Sequence, residues 1–126
     1  MLKYITEEEY KKLLGKDSIP SNFNNLVIEA SAYINHKTFE RIDKNNVPEE
    51  VQYVTCLIVD YQDEENTKLS EVGNLKSQNI EGWSESYSTP EEIKSDYEDK
   101  KQKTLNKYLW DVIGIDGNPL LYCGVY

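Results

Sequence analysis

From Pro48 to Glu65 the apolar residues keep a helical rhythm. Val51, Val54, Leu57, Ile58 and Tyr61 fall at three- and four-residue steps, the spacing that lines one face of an α-helix. Tyr53, Cys56 and Val59 put apolar or semi-apolar surface on its other sides. A helix apolar on several faces is wrapped by neighbours, so this stretch is expected to be the central element. Pro48 has no N–H to leave unpaired in the first turn, and Glu49 and Glu50 sit beside the positive end of the macrodipole, which marks the start.

The same rhythm predicts three further helices. Thr6 and Glu9 fit a capping box, opening a short helix over Glu7 to Leu14 that stops at Gly15. Ser21 or Asn22 caps the next, whose stripe is Phe23, Leu26, Val27, Ala30, Tyr33 and Ile34. Phe39 and Ile42 fall off that stripe at 3.6 residues per turn, which predicts a bend or repacking after Asn35. Asp43 to Val47 is a polar turn. Thr89-Pro-Glu-Glu92 is the clearest helix start in the chain. Ile93, Tyr97, Thr104, Tyr108 and Val112 then share a face that Leu105 and Leu109 widen, with Glu, Asp and Lys between them as a solvated side and an expected end at Gly114. The fold class is mainly α: a small helical bundle of one short and three longer helices, forming a single domain over 1–126.

Two stretches break the rhythm. Asn66 to Ser88 carries no helical periodicity and is rich in Ser, Asn, Glu and Gly. After Gly82, Trp83-Ser-Glu-Ser-Tyr-Ser88 alternates large or charged with small residues, a weak strand signal. The expectation is an extended loop or β-hairpin arm over about 66–88, and so long an insertion in a small domain usually means a binding element or a mobile arm. Asp116-Gly-Asn-Pro119 reads as a turn, and Leu120-Leu-Tyr-Cys-Gly-Val-Tyr126 as an extended C-terminal tail with strand-like composition and no partner visible within the fold.

Composition narrows the function more than it names it. At 126 residues, 38% hydrophobic and 29% charged, the chain reads as a folded domain with a small core. A net charge of -9 argues against a surface that grips phosphates. No apolar run is long enough to cross a bilayer and no signal-peptide pattern opens the chain, so no membrane is expected and the cytoplasm of the producing cell is the expected compartment. Cys56 and Cys123 lie far apart, outside any metal or redox spacing, and read as free thiols. His36 projects off its helix's apolar stripe, as a solvated imidazole. Asp60, Asp63, Glu64 and Glu65 could gather around one helical turn as a general acid-base pair or a Mg site, but a charged run at a helix end reads as a solvated face. Gly114 and Gly117 bracket a turn after a helix, not a phosphate loop. The expectation is no catalysis, no cofactor and no metal.

What stands out is aromatic and aliphatic surface that a monomer would not need, on the arm (Ile80, Gly82, Trp83, Ser84, Tyr87) and on the tail (Leu120, Leu121, Tyr122, Cys123, Gly124, Val125). Each segment either folds back on its own core or docks on another subunit. The order of elements resembles the head-tail connector, or head-completion adaptor, proteins of long-tailed bacteriophages. The matching stretches are Tyr4-Ile-Thr-Glu-Glu-Glu-Tyr10, Ile19-Pro-Ser-Asn-Phe-Asn-Asn-Leu26 running on to Thr38-Phe-Glu-Arg-Ile42, Val47-Pro-Glu-Glu-Val-Gln-Tyr-Val-Thr-Cys56, Gly82-Trp-Ser-Glu-Ser-Tyr-Ser88 and Leu120-Leu-Tyr-Cys-Gly-Val125. The resemblance implies a ring of identical copies, roughly twelve-fold, that extends the DNA channel from the portal towards the tail. It implies docking of the C-terminal tail on the portal protein, and contacts of the arm within the ring or with the next head-completion, stopper or tail protein. The neck of the virion would be its place, and DNA would pass the lumen without specific binding, since like charge disfavours adhesion. Two other classes fit the charge: a small acidic DNA-mimic regulator that inhibits a nucleic-acid enzyme, and a hydrolase built on the Asp60 to Glu65 carboxylates.

Overall fold

The computed structural model describes residues 2–78 and 89–121, the side chains of 72–78 excepted. Four helices follow in order: α1 (Glu7–Leu14), α2 (Phe23–Lys37), α3 (Glu49–Gln78) and α4 (Pro90–Leu109). α3, with 30 residues and so about 45 Å long, is the axis, and the other three all pack on it. The protein is thus a small helical bundle with a central helix, in keeping with its apolar spacing.

Local signals set the helix ends. The Thr6 hydroxyl accepts from the Glu9 amide at 3.2 Å, while the Thr6 amide donates to the Glu9 carboxylate at 2.9 Å, a complete capping box. Gly15 ends α1 at φ 65°, the left-handed conformation that costs glycine least. Thr89 caps α4 through the Glu92 amide, with Pro90 in the first turn.

The core is one large cluster. Tyr10, Leu26, Val27, Ile34, Val51, Val54, Ile58, Val59, Leu105 and Leu109 are almost completely buried. Cys56 and Thr55, on α3 faces away from the main stripe, are buried too, as expected of a helix enclosed on several sides. The chain before α1 straps across α2: the Tyr4 amide donates to the buried Ser31 hydroxyl and the Tyr4 hydroxyl to Asn35, each at 3.0 Å. A second, smaller cluster lies further along α3, where Ile93 and Tyr97 pack against Tyr61 and Leu69.

The structure corrects four expectations. α3 does not stop near Glu65 but continues to Gln78, because Leu69 falls two turns after Tyr61 on the same face and seats against α4. The residues expected as an arm from 66 are therefore helical as far as 78, and no strand occurs among the described residues. α4 ends at Leu109, not Gly114, and Trp110 and Asp111 form a turn. α2 does not bend after Asn35 but ends at Lys37, and the break in its stripe is a reversal at Phe39 and Glu40, both at positive φ. Lastly, Leu120 has an internal partner: it is 1% exposed in the main core, and Leu121 packs beside it. The rest of the expected arm, including Ile80, Gly82, Trp83, Ser84 and Tyr87, and the tail residues Tyr122, Cys123, Gly124 and Val125 lie outside the described residues.

Candidate functional site

The most elaborate local construction joins the turn after α2 to the loop after α4. α2 closes on Thr38, whose hydroxyl donates to the Ile34 carbonyl at 2.8 Å. Phe39 (φ 56°) and Glu40 (φ 57°) then take the left-handed conformation, which for residues with a side chain costs about 1–2 kcal/mol each. The Glu40 amide still finds the Asn35 carbonyl at 2.9 Å, so the reversal leaves that donor satisfied. Its effect is to turn the Phe39 ring outwards and to aim Arg41 across the molecule.

Arg41 uses several of its donors on the far loop. Its Nε donates to Asp116 at 2.9 Å, and Nη1 donates to the carbonyls of Pro119 at 2.9 Å and Leu120 at 3.4 Å. The guanidinium lies 5.0 Å from the centre of the Phe39 ring. The Arg41 carbonyl accepts from the Ile115 amide at 2.8 Å. The loop is shaped to receive it. A Cβ on Gly114 would lie 2.6 Å from the Arg41 Cβ, so only glycine fits there. The Asn118 backbone amide first, then its side chain and Arg41, hold the Asp116 carboxyl below the usual carboxylate range. The Leu120 amide donates to Val112 at 2.8 Å, which turns the Leu120 side chain into the core.

The two segments joined by Arg41 carry every exposed large hydrophobic residue among those described. Phe39 is 52% exposed, Trp110 67%, Ile113 57% and Ile115 66%. Scattered apolar residues on a surface need no explanation, but among the described residues these four are confined to the turn after α2 and the segment after α4. Phe39 also forms part of a groove of about 740 Å³ in which Leu2, Ile28 and Ala32 alternate with Asn35, His36, Glu40 and Lys44 around the end of α2. His36 is exposed there, on the rim. The chain enters Tyr122 from this same loop.

The carboxylates at the middle of α3 do not converge. Asp60 accepts from the Tyr10 hydroxyl and pairs with Lys16 at 2.7 Å, on the α1 side. Glu64 accepts from the Tyr97 hydroxyl at 3.2 Å, and Glu65 pairs with Lys101 at 3.4 Å between α3 and α4. Asp63 contributes its backbone carbonyl to Thr67. No group of three metal-ligating side chains comes together among the described residues. Cys56 is a buried free thiol, its pKa pushed up to about 12, first by burial and then by the charges of Asp60 and Glu9. A thiol in that setting is not a nucleophile at neutral pH. The sequence reading anticipated the turn at Asp116 to Pro119 but not the residue that organises the loop around it. Arg41 and Gly114 each look unremarkable in sequence, and only the fold brings them together.

Comparison of the chain with known protein families, with curated proteins and with solved structures finds no match in any of the three. What the described residues define is a small helical protein whose distinctive surface is apolar. No helix among them is long and apolar enough to cross a membrane.

Proposed function

We propose that the chain is a structural protein that works by assembly: a ring-forming adaptor at the neck of a long-tailed bacteriophage, seated between the portal and the tail. The reading starts from the resemblance of its sequence segments to head-tail connector proteins. The observation that carries it is the exposure of Phe39, Trp110, Ile113 and Ile115 on the two segments that Arg41 links. Aromatic and aliphatic groups on a preorganised surface are what a permanent interface uses, because little side-chain entropy remains to be lost on docking. The six tail residues Leu120 to Val125 divide in this reading. Leu120 is the root in the core, and docking on the portal falls to Tyr122 to Val125.

Electron microscopy of the purified protein, alone and with portal rings, tests the proposal. The expected result is an annulus, roughly twelve-fold, on the portal. Trp110→Ser with Ile115→Ser removes exposed groups and spares the core, so the variant should fold and lose that density. Single molecules under both conditions, with portals left bare, would overturn the reading.

A further inference from the structure

In a chain of net charge -9, three lysines stand together with no carboxylate partner among the described residues, Lys100 lying 4.4 Å from the centre of the Tyr97 ring and Lys107 5.3 Å from that of Tyr108. Lys100, Lys103 and Lys107 line one wall of a groove of about 340 Å³ between α3 and α4. Among the described residues none of them forms an ion pair. The acidic residues of α4 all lie before Lys100, ending at Asp99. Lysines in the second half of a helix complement its dipole, which accounts for their presence on α4. It does not account for what faces them. Tyr53, Leu57 and Tyr61 of α3 form the opposite wall, and Tyr108 closes the groove edge-to-face on Tyr53, with ring centres 5.3 Å apart.

A basic rim over an aromatic and aliphatic floor suits an acidic segment that carries large apolar side chains. The chain contains one. Residues 80–87, Ile-Glu-Gly-Trp-Ser-Glu-Ser-Tyr, interleave Glu81 and Glu85 with Trp83 and Tyr87. The two ends of this segment are fixed by Gln78 of α3 and Pro90 of α4. At about 3.5 Å per residue, Trp83 reaches at most about 18 Å from Gln78, whereas Leu57 lies about 32 Å from Gln78 along α3. Tyr87 is tethered within about 10 Å of Pro90, whereas Lys103 lies about 20 Å along α4. Within one copy, then, neither ring reaches the groove floor at Tyr53 and Leu57.

The geometry points to a trans contact: the Lys100–Lys103–Lys107 groove of one copy takes residues 80–87 of a second copy, with carboxylates on the lysine rim and an aromatic side chain against Tyr53, Leu57 and Tyr61. This deepens the assembly reading and rests on it. A nucleic acid is the competing polyanion. It is disfavoured by the overall negative charge.

The full chain carrying a benzophenone amino acid at position 83, mixed with isotope-labelled chain, tests the contact by photo-crosslinking. Labelled-to-unlabelled crosslinks into peptides spanning 53–61 or 100–108 are expected. Charge reversal gives the energetic arm. Glu81→Lys with Glu85→Lys, or Lys100→Glu with Lys103→Glu and Lys107→Glu, should weaken self-association by about tenfold in sedimentation, and the combined variant should recover most of it. The Glu81 and Glu85 substitutions touch none of the four described helices, so that arm decides the question even if the lysine variant does not fold. Oligomers that persist unchanged in both reversals, or crosslinks that map elsewhere, would overturn the groove and leave the assembly reading intact. A chain that stays monomeric with and without portal would sink both. Binding of a fluorescein-labelled DNA duplex, lost on lysine reversal, would reassign the groove to nucleic acid.

Discussion

The two ends of α3 are stabilised by different means. Around Val51 to Val59 the helix is packed by α1, α2 and α4 and buries aliphatic side chains on several sides. From Gln62 onwards its described side-chain partners are on α4 or on α3 itself: Glu64 with Tyr97, Lys101 with Gln62 and Glu65, Leu69 with Ile93 and Tyr97. The packed end draws on area removed from water, and the projecting pair on a few polar contacts around a small apolar cluster. The difference teaches where the molecule should yield first, since local opening follows low burial.

The largest effect belongs to the packed end. Ile58→Ala, in the middle of the core, should cost about 3–4 kcal/mol in chemical denaturation and lower the stability of all four helices together. Lys101→Ala leaves Glu65 without its cation between α3 and α4, where both residues are 8% exposed. The expected loss is about 3 kcal/mol, and Glu65→Leu with Lys101→Met should recover most of it, because two matched apolar groups replace a matched ion pair. If the single and double variants are equally unstable, the ion pair is not what holds this end.

Gly114→Ala probes the Arg41 strap and should cost about 2 kcal/mol, since the Cβ would displace Arg41 or its carbonyl. Near-ultraviolet circular dichroism should report the shift through Trp110. Leu69→Ala should cost about 1 kcal/mol and show mainly as faster hydrogen exchange along 62–71 and 90–101, leaving the packed end protected.

Alkaline pH should reverse the ranking. The pKa values of Cys56, Tyr4 and Tyr10 are each pushed up to about 12, from 9.0 for the thiol and 10.0 for the phenols, first of all by burial. A group that holds its proton more tightly when folded contributes stability in full below its unfolded pKa, and that contribution is lost as pH rises through the folded value. All three belong to the packed end, so that end should weaken between about pH 9 and 12. Thiol-reagent access to Cys56 in that window is the measurement, and a Cys56 that stays protected beyond pH 12 would refute the assignment.

How much of this was legible depended on whether the signal was local. The starts of α1 and α4 were plain, because Thr6 with Glu9 and Thr89 with Glu92 are self-contained capping pairs. The enclosed part of α3 was plain too, because repeated aliphatic residues leave few alternatives. Its extension was not, since one apolar residue in two turns, Leu69, looks like a loop until Ile93 and Tyr97 are placed against it. The end of α4 was misplaced because Val112 continues the helical stripe numerically, yet it reaches the core from a turn. The reversal at Phe39 and Glu40 had no glycine or asparagine to announce it. It persists because Arg41, Asp116 and the carbonyls of 119 and 120 fix it from outside. Of the candidate interaction surface, the sequence offered the tail and arm residues but not the strap beneath the tail. It also presented the groove lysines only as a solvated helix side.

Leu120 and the carbonyls that Arg41 grasps are made long after the helices they complete. A nascent polypeptide therefore holds an open seam beside α2 until residue 120 has left the ribosome, and its interaction surface is finished in the same event. Copies truncated before Leu120 would lack the Arg41 contacts at 119 and 120 and would keep that seam open.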